Sequence, residues 1–220
     1  VAFAIKTLRP DIKIYGVQAE GAPSMKKALE CGERGCLEKV STIADGISVK
    51  EPGSLTFEMV KQYVDEVVTV SDNEIAAAIL ALLEKQKMVA EGAGAVSVAA
   101  VMFHKLPVDG KKVCCIVSGG NIDVNFLNRV ITRGLAKSGR LASIVLDLPD
   151  TPGALSGVVN VIAELGGNIL SVTHERTTTS TQVNGCLLHI EMETRNNDHI
   201  KAIKKGLIDR GYHIIDDCGQ

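Results

Sequence analysis

The feature that most constrains the fold of this chain is an apolar run at residues 113–117 that stops abruptly at Ser118, Gly119, Gly120 and Asn121. A strand, a turn of small residues and an amphipathic helix in that order are typical of a sheet that presents a ligand at the carboxyl ends of its strands. The glycines let the backbone approach a ligand closely, and the Ser118 hydroxyl can form a hydrogen bond there. The alternative is an ordinary turn in which Ser118 only caps the next helix.

Helical and strand patterns alternate through residues 1–131, which predicts an α/β domain. Ser71 and Glu74 form a capping box that predicts the start of a long helix ending near Gln86. Around it we expect strands at residues 11–18, 66–70 and 112–117, and helices at 24–31, 54–63, 89–104 and from 121 to about 131.

The pattern changes in kind near residue 140. Residues 132–140 are polar, basic and contain glycine, and they are predicted to form a linker. Beyond them the order βαββαβ at residues 141–216 predicts a ferredoxin-like unit, with a polar hairpin turn at 177–180. The chain is therefore predicted to hold one domain at residues 1–131 and another at 141–220.

The composition of the chain limits the classes of partner that we expect it to bind. The chain has 220 residues, a formal net charge of −2 and 23% charged residues, so no basic surface for nucleic acid or an anionic membrane is expected. Its apolar runs are too short to span a bilayer. Six cysteines without metal-type spacing are typical of reduced cytoplasmic thiols. Because the chain opens inside a helical pattern without a start methionine, we expect it to be the later part of a longer protein.

Four short stretches carry a resemblance to a known family. They are Gly-Val-Gln-Ala-Glu at 16–20, Thr-Ile-Ala-Asp-Gly at 42–46, Glu-Gly-Ala-Gly-Ala at 91–95 and Ser-Gly-Gly-Asn at 118–121. In this order they resemble the later half of the catalytic domain of the threonine ammonia-lyases, which are pyridoxal-phosphate enzymes of fold type II, the tryptophan synthase β type. The resemblance implies a three-layer sheet domain, here present in part.

The resemblance implies that Ser118, Gly119 and Glu91 bind pyridoxal 5'-phosphate, with Ser118 facing the pyridine nitrogen. A neutral hydroxyl leaves that nitrogen unprotonated, which weakens the electron sink and favours loss of a β-hydroxyl group. The implied reaction converts L-threonine to 2-oxobutanoate and ammonia, as in isoleucine biosynthesis. The family's Schiff-base lysine precedes the position matching Val1, so no catalytic residue is assigned in this chain.

Alternatives remain open for both the activity and Glu91. A serine dehydratase or a serine racemase would show similar stretches, and L-serine would then be the substrate. A non-catalytic amino-acid-binding fragment is the rival function if the 220 residues are the whole polypeptide. For Glu91, the alternative to a cofactor contact is a favourable charge at a helix N-terminus.

Residues 141–216 resemble an ACT domain, an amino-acid-sensing module, through residues 150–155 and 167–169. The resemblance implies allosteric control by isoleucine or valine and assembly into a homo-oligomer, a dimer or tetramer. We expect the ligand residues to lie close together at a helix N-terminus and a strand start; they are Asp150, Pro152, Gly153, Ala154, Leu155, Asn168 and Ile169. In the alternative, the module only pairs and binds no ligand.

A cation site is a further implication. Serine racemases hold a divalent ion with a residue like Glu20 and with groups four and six positions later. Here those positions are Ser24, which can offer its carbonyl, and Lys26, where a carboxylate is expected. The lysine argues against a strong divalent site, so Glu20 and Ser24 are predicted to bind at most a weakly held divalent ion or a monovalent one.

Overall fold

The computed structural model describes residues 1–176 and 185–215, and the chain divides into two compact units between Val130 and Ile131. The first unit contains α1 (Ala2–Leu8), β1 (Tyr15–Ala19), α2 (Ser24–Cys31), α3 (Ser54–Tyr63), β2 (Glu66–Val70), α4 (Asp72–Ala81) and α5 (Gly92–Met102). Helix α6 (Val124–Lys137) begins in the first unit and ends in the second. The second unit contains β3 (Leu141–Pro149), α7 (Ala154–Glu164), β4 (Asn168–Glu175), β5 (Gly185–Glu193), α8 (Asn197–Asp209) and β6 (His213–Ile215).

The first unit is built around a parallel pair of strands and the helices beside them. Strands β1 and β2 pair in register, with Tyr15 opposite Glu66. The predicted capping box is confirmed: the Ser71 hydroxyl accepts a hydrogen bond from the Glu74 amide, and the Glu74 carboxylate accepts one from the Ser71 amide at 2.8 Å. This reciprocal pair fixes the start of α4 directly after β2.

Helix α4 passes into a π-helical turn at Leu82–Gln86. Ile75, Ile79 and Leu82 are buried at spacings of four and three residues, so one face of this helix packs into the core. Lys87, with a φ of 56°, ends it. The prediction of a long helix ending near Gln86 is confirmed, with a change of helix type in its last turn.

The prediction of a strand at residues 112–117 is wrong: these residues are described, and none of them belongs to a strand. A strand exists only with a hydrogen-bonded neighbour, and β1 and β2 pair only with each other. The segment instead contacts α5, where the Ser97 hydroxyl donates to the Ile116 carbonyl at 2.9 Å. Val113 and Ile116 are 45% and 54% exposed as a result.

The second unit is an antiparallel sheet in the order β4-β5-β3-β6 with two helices against one face. Buried and more exposed residues alternate along β3, where Ala142, Ile144, Leu146 and Leu148 enter the core. The buried helix residues of that core are Val158, Val161, Ile162, Ile203 and Leu207. The predicted βαββαβ order is confirmed, whereas the turn predicted at 177–180 lies outside the described residues.

The predicted linker at 132–140 is wrong in form, because α6 continues to Lys137. Ile131, Gly134 and Leu135 are partly buried while the polar residues between them face solvent, so the polar composition marks the outer face of a helix. With 14 residues, α6 is the longest purely α-helical element in the described part of the chain. None of the helices described there has the length and apolar character needed to cross a membrane.

Candidate functional site

Three of the family-like stretches meet at the first turn of α5. A Cβ on Gly92 would lie 2.6 Å from the Ile43 carbonyl oxygen and 2.9 Å from the Ala44 Cα, so this residue must lack a side chain. A Cβ on Gly94 would lie 2.9 Å from the Gly119 carbonyl oxygen. The glycines of residues 91–95 therefore bring the loop at 42–46 and the segment at 118–121 against the same helix end.

Ser118 directly follows the segment at residues 112–117 that contacts α5, and its position is fixed by the backbone around it. The Glu91 amide donates to the Gly119 carbonyl at 3.1 Å, and Gly119 has a φ of +135°, a conformation that favours glycine. Among the described residues, none forms a hydrogen bond with the Ser118 hydroxyl. Helix α6 is capped by Asp123, whose carboxylate accepts the Phe126 amide at 2.9 Å. The interpretation of Ser118 as the cap of that helix is therefore wrong.

The Glu91 carboxylate is held between two glycines. One of its oxygens lies 2.7 Å from the position of a Cβ on Gly119 and 3.7 Å from that of a Cβ on Gly46, so larger residues would displace it. Glu91 is the N-cap residue of α5, yet its side chain does not cap the helix. Within the described residues this partly buried carboxylate has no hydrogen-bond or ion-pair partner. Glu91 therefore lies both at the N-terminus of α5 and beside Gly119, so its position is compatible with a helix-end charge and with a cofactor contact.

A cleft of about 480 Å³ opens beside Glu91. Its lining includes Asp45, Gly46, Gly92, Phe126 and Arg129, and the Arg129 guanidinium lies 5.6 Å from the centre of the Phe126 ring. The volume is in the range that holds small ligands. Glu91 borders both this cleft and Gly119, whereas Ser118 does not line the cleft. The contributions of Phe126 and Arg129 were not predicted, because they depend on the direction of α6.

The residues at this helix end fit pyridoxal phosphate. The Ser118 hydroxyl is neutral and has no hydrogen-bond partner in the described part of the chain, so it suits the pyridine nitrogen, which accepts one hydrogen bond. Gly119 and Gly120 carry no side chain that would block approach to it. The predicted set of Ser118, Gly119 and Glu91 is therefore brought together around one helix end.

The predicted cation ligands Glu20 and Ser24 lie in different surroundings. Glu20 is exposed just after β1, whereas Ser24, the first residue of α2, is buried. Lys105 forms an ion pair with Glu74 at 2.9 Å, and its pKa is raised first by that hydrogen bond and also by the charge of Glu20. Across residues 1–176 and 185–215, no three His, Cys, Asp or Glu side chains come together in a way that could hold a metal ion. The cation site stays a prediction.

The predicted effector residues of the second unit do not lie together in one chain. Asn168 stands opposite Glu193, which stands opposite Leu141 at the start of β3. Asp150 follows Pro149 at the other end of β3, about 25 Å further along the strand. The expected closeness of the two groups is wrong, because α7 runs back along the sheet before β4 begins. An effector site that includes both Asp150 and Asn168 therefore requires two copies of the second unit.

Each end of the sheet has its own polar contacts. The Arg176 guanidinium bonds the Asp150 carboxylate at 2.8 and 3.3 Å, and this hydrogen bonding lowers the pKa of Asp150. Gly153 adopts a φ of 93° at the N-cap of α7. At the far end, the Asn168 amide donates to Glu193 at 2.8 Å. Sequence analysis missed Arg176, whose only signal was its position directly before the polar run at 177–180.

Comparisons with known proteins match both units. Residues 1–119 match the model of the pyridoxal-phosphate dependent enzyme family, and residues 142–208 match that of the ACT domain. The chain is 50% identical to an L-threonine ammonia-lyase of Thermotoga maritima and 41% identical to one of Geobacter sulfurreducens, over 97% of this chain in each case. The match covers 53% of each relative, so the chain spans about half the length of these curated relatives.

Solved structures give the same fold for the first unit. The processed form of threonine deaminase isoform 2 from Solanum lycopersicum is 34% identical with a TM-score of 0.55, over 60% of this chain and 37% of that chain. A maize serine racemase is 31% identical with a TM-score of 0.54, over 62% of this chain and 43% of that chain. Because both scores are alike, the fold by itself does not separate the two activities.

Proposed function

This chain belongs to the family of pyridoxal-phosphate dependent enzymes and carries an ACT domain, and we propose that it is part of an L-threonine ammonia-lyase. Such an enzyme would convert L-threonine to 2-oxobutanoate and ammonia. The similarity to two L-threonine ammonia-lyases over nearly the whole chain supports this activity over the serine-directed alternatives. A cytoplasmic location and a role in isoleucine biosynthesis are part of the same proposal.

The observation that carries the proposal is the Ser118 hydroxyl, which lies beside Gly119 and Glu91 and has no hydrogen-bond partner among residues 1–176 and 185–215. Pyridoxal phosphate, when bound, supplies the electron sink that weakens bonds at the α-carbon of an amino acid. The Ser118 hydroxyl would hold the ring nitrogen by donating one hydrogen bond, and as a neutral group it leaves that nitrogen without a proton. The Glu91 carboxylate, between Gly46 and Gly119, would fix one side of the space beside the ring.

The first test is threonine-dependent release of 2-oxobutanoate by the full-length protein that contains this chain, with L-serine compared as substrate. Ser118→Ala should lower kcat about 100-fold, the usual loss for a preorganised hydrogen bond at a position where charge develops during the reaction. Ser54→Ala, at the exposed start of α3, is the matched control and should retain full activity. Turnover of L-serine without turnover of L-threonine would favour a serine dehydratase or serine racemase instead.

The ACT unit is proposed to bind isoleucine or valine between two copies of the chain, in a dimer or a tetramer. The support is the placement of Asp150 and Asn168 at opposite ends of the sheet, since a second copy could bring one end against the other. Calorimetric titration of the full-length protein should give heat with one of these amino acids, and Asn168→Ala should abolish it. Heat with neither would mean that the module only pairs.

A non-catalytic sensor is the second candidate function, and it would apply if the 220 residues were made as a separate polypeptide. An intact denatured mass near 23.4 kDa for the natural protein would favour the sensor. A mass near twice that value would favour the enzyme. For the cation site, no change in activity or thermal stability on removal of divalent and monovalent ions would exclude Glu20 and Ser24 as ligands.

A further inference from the structure

The first turn of α4 is bonded to the loop at residues 42–46, far from it in sequence. The Thr42 hydroxyl donates to the Asp72 carboxylate at 2.6 Å and accepts a hydrogen bond from the Ala44 amide at 3.1 Å. Both bonds are partly buried. We infer that Asp72 is a positioning residue for the candidate site, acting through Thr42. The inference rests on the proposed function only in that the site is taken to be the cofactor site.

The loop that Thr42 holds forms one wall around Glu91. Ala44 is fully buried, and its Cα lies 2.9 Å from the position of a Cβ on Gly92. A Cβ on Gly46 would lie 3.1 Å from the Ala93 Cβ and 3.7 Å from a Glu91 carboxylate oxygen. With so little clearance, a shift of this loop by a few tenths of an ångström changes the space around the Glu91 carboxylate.

Asp72 is not required to cap its own helix. Ser71 and Glu74 already form both bonds of the capping box, and Glu74 also pairs with Lys105. The Asp72 carboxylate is therefore available to Thr42. A short hydrogen bond to an ionised acceptor is roughly twice as strong as one between neutral groups. Asp72 thus connects an anchored helix to a loop that contains no strand and only a short 3-10 turn, Asp45–Ile47.

The test is amide hydrogen exchange of the full-length holoenzyme, followed by mass spectrometry. Asp72→Ala should raise the exchange rate in residues 43–48 roughly tenfold, the effect of losing one bond of ordinary strength. Exchange in residues 75–81 of α4 should stay unchanged. Asn73→Ala, an exposed neighbour in the same helical turn, is the matched control and should change neither segment.

Conservative variants separate positioning from general stability. Asp72→Asn keeps an acceptor and should restore most of the protection, as should Thr42→Ser, which keeps the hydroxyl. Thr42→Val also removes the bond from the Ala44 amide, so it should raise exchange at least as much as Asp72→Ala, and the double variant should be no worse than Thr42→Val alone. The fluorescence of bound pyridoxal phosphate should shift in Asp72→Ala and Thr42→Val but not in the conservative pair.

Equal exchange in Asp72→Ala and Asn73→Ala would overturn the inference, as would faster exchange spread over α4. An unshifted cofactor fluorescence in Thr42→Val would also overturn it, since the loop would then be loosened without consequence for the site. If the unsubstituted protein bound no pyridoxal phosphate, the proposed function would fail. The exchange data would in that case still decide whether Asp72 holds the loop.

Discussion

The two units are stabilised in different ways. In the second unit, β3 pairs with β5 along its whole length, and alternate residues of both strands enter one core with α7 and α8. In the first unit, the functional region depends on backbone segments that approach one another at Gly92 and Gly94. The second unit is thus specified by the alternation of buried and more exposed residues along β3 and β5. The candidate site is specified by the absence of side chains at a few positions.

The largest effect expected concerns the core of the second unit. Leu188→Ala should lower the free energy of unfolding of that unit by about 2–5 kcal/mol, because Leu188 is fully buried. Chemical denaturation combined with hydrogen exchange would report the change unit by unit. Leu187→Ala, one residue earlier on the opposite face of β5, should cost much less. Equal losses of unfolding free energy at Leu188 and Leu187 would mean that the alternation of buried residues is not what stabilises this sheet. The contrast with the first unit would then not hold.

A smaller effect is expected from filling one of the close approaches in the first unit. Gly94→Ala should lower the free energy of unfolding by about 1–3 kcal/mol, because its Cβ meets the Gly119 carbonyl and the Ser118 amide. It should also weaken binding of pyridoxal phosphate, measured by fluorescence titration. Gly35→Ala is the control, since a Cβ there meets nothing within 4 Å. If both variants bound the cofactor equally, close packing at Gly94 would not be what positions Ser118.

Asp65, in the first unit, allows the stabilities of the two units to be compared as a function of pH. Its carboxylate bonds Lys6 at 2.7 Å, the Ile14 amide at 2.8 Å and Lys13 at 2.9 Å, and these bonds hold its pKa well below the usual value of about 3.9. Because the folded-state pKa is lowered, the stabilisation is complete only at pH values well above the unfolded-state pKa, and it is lost progressively as the pH falls toward the folded-state pKa.

Asp65→Asn should therefore lower the free energy of unfolding of the first unit by roughly 1 kcal/mol at pH 7. The difference from the unsubstituted chain should narrow in acid, as measured by urea denaturation at several pH values. Stability of the second unit should not respond to this substitution. A difference that stays constant down to pH 2 would mean that the ion pairs contribute nothing.

The smallest effect is expected on the exposed surface of the second unit. Lys205 and Asp209 form a 2.6 Å ion pair, but their side chains are 76% and 58% exposed. Lys205→Ala should change the free energy of unfolding by less than about 0.5 kcal/mol, because solvent screens such pairs. Thermal denaturation at two salt concentrations would measure this. A larger loss of unfolding free energy that depends on salt would show that surface ion pairs, as well as the alternating buried residues, stabilise the second unit.

Elements whose signals are local were predictable from the sequence. The Ser71–Glu74 capping box and the alternation along β3 depend on neighbouring residues, and both are present as expected. The segment at 112–117 shows the opposite case, since a strand needs a hydrogen-bonded neighbour and the described residues contain none for it. The extent of α6 is not evident from composition, because its outward-facing polar residues have the composition of a linker.

The candidate site was predictable only in part. The resemblance brought Ser118, Gly119 and Glu91 together, and the structure places them around one helix end. The bond between Thr42 and Asp72 spans 30 positions of sequence and follows no periodic pattern, so only the fold reveals it. The same holds for Arg129, whose place in the cleft depends on where α6 crosses the first unit.

The π-helical turn at Leu82–Gln86 has a consequence for how the chain tolerates changes in length. A π turn closes its hydrogen bonds over one more residue than an α turn does, so it holds one residue that a regular helix would not need. Deleting a residue there could restore α-helical bonding while Ile75 and Ile79 keep their places in the core. The same deletion within Asp72–Ala81 would rotate every later residue by about 100° about the helix axis. Single-residue gaps between related sequences are therefore expected at this turn rather than earlier in α4.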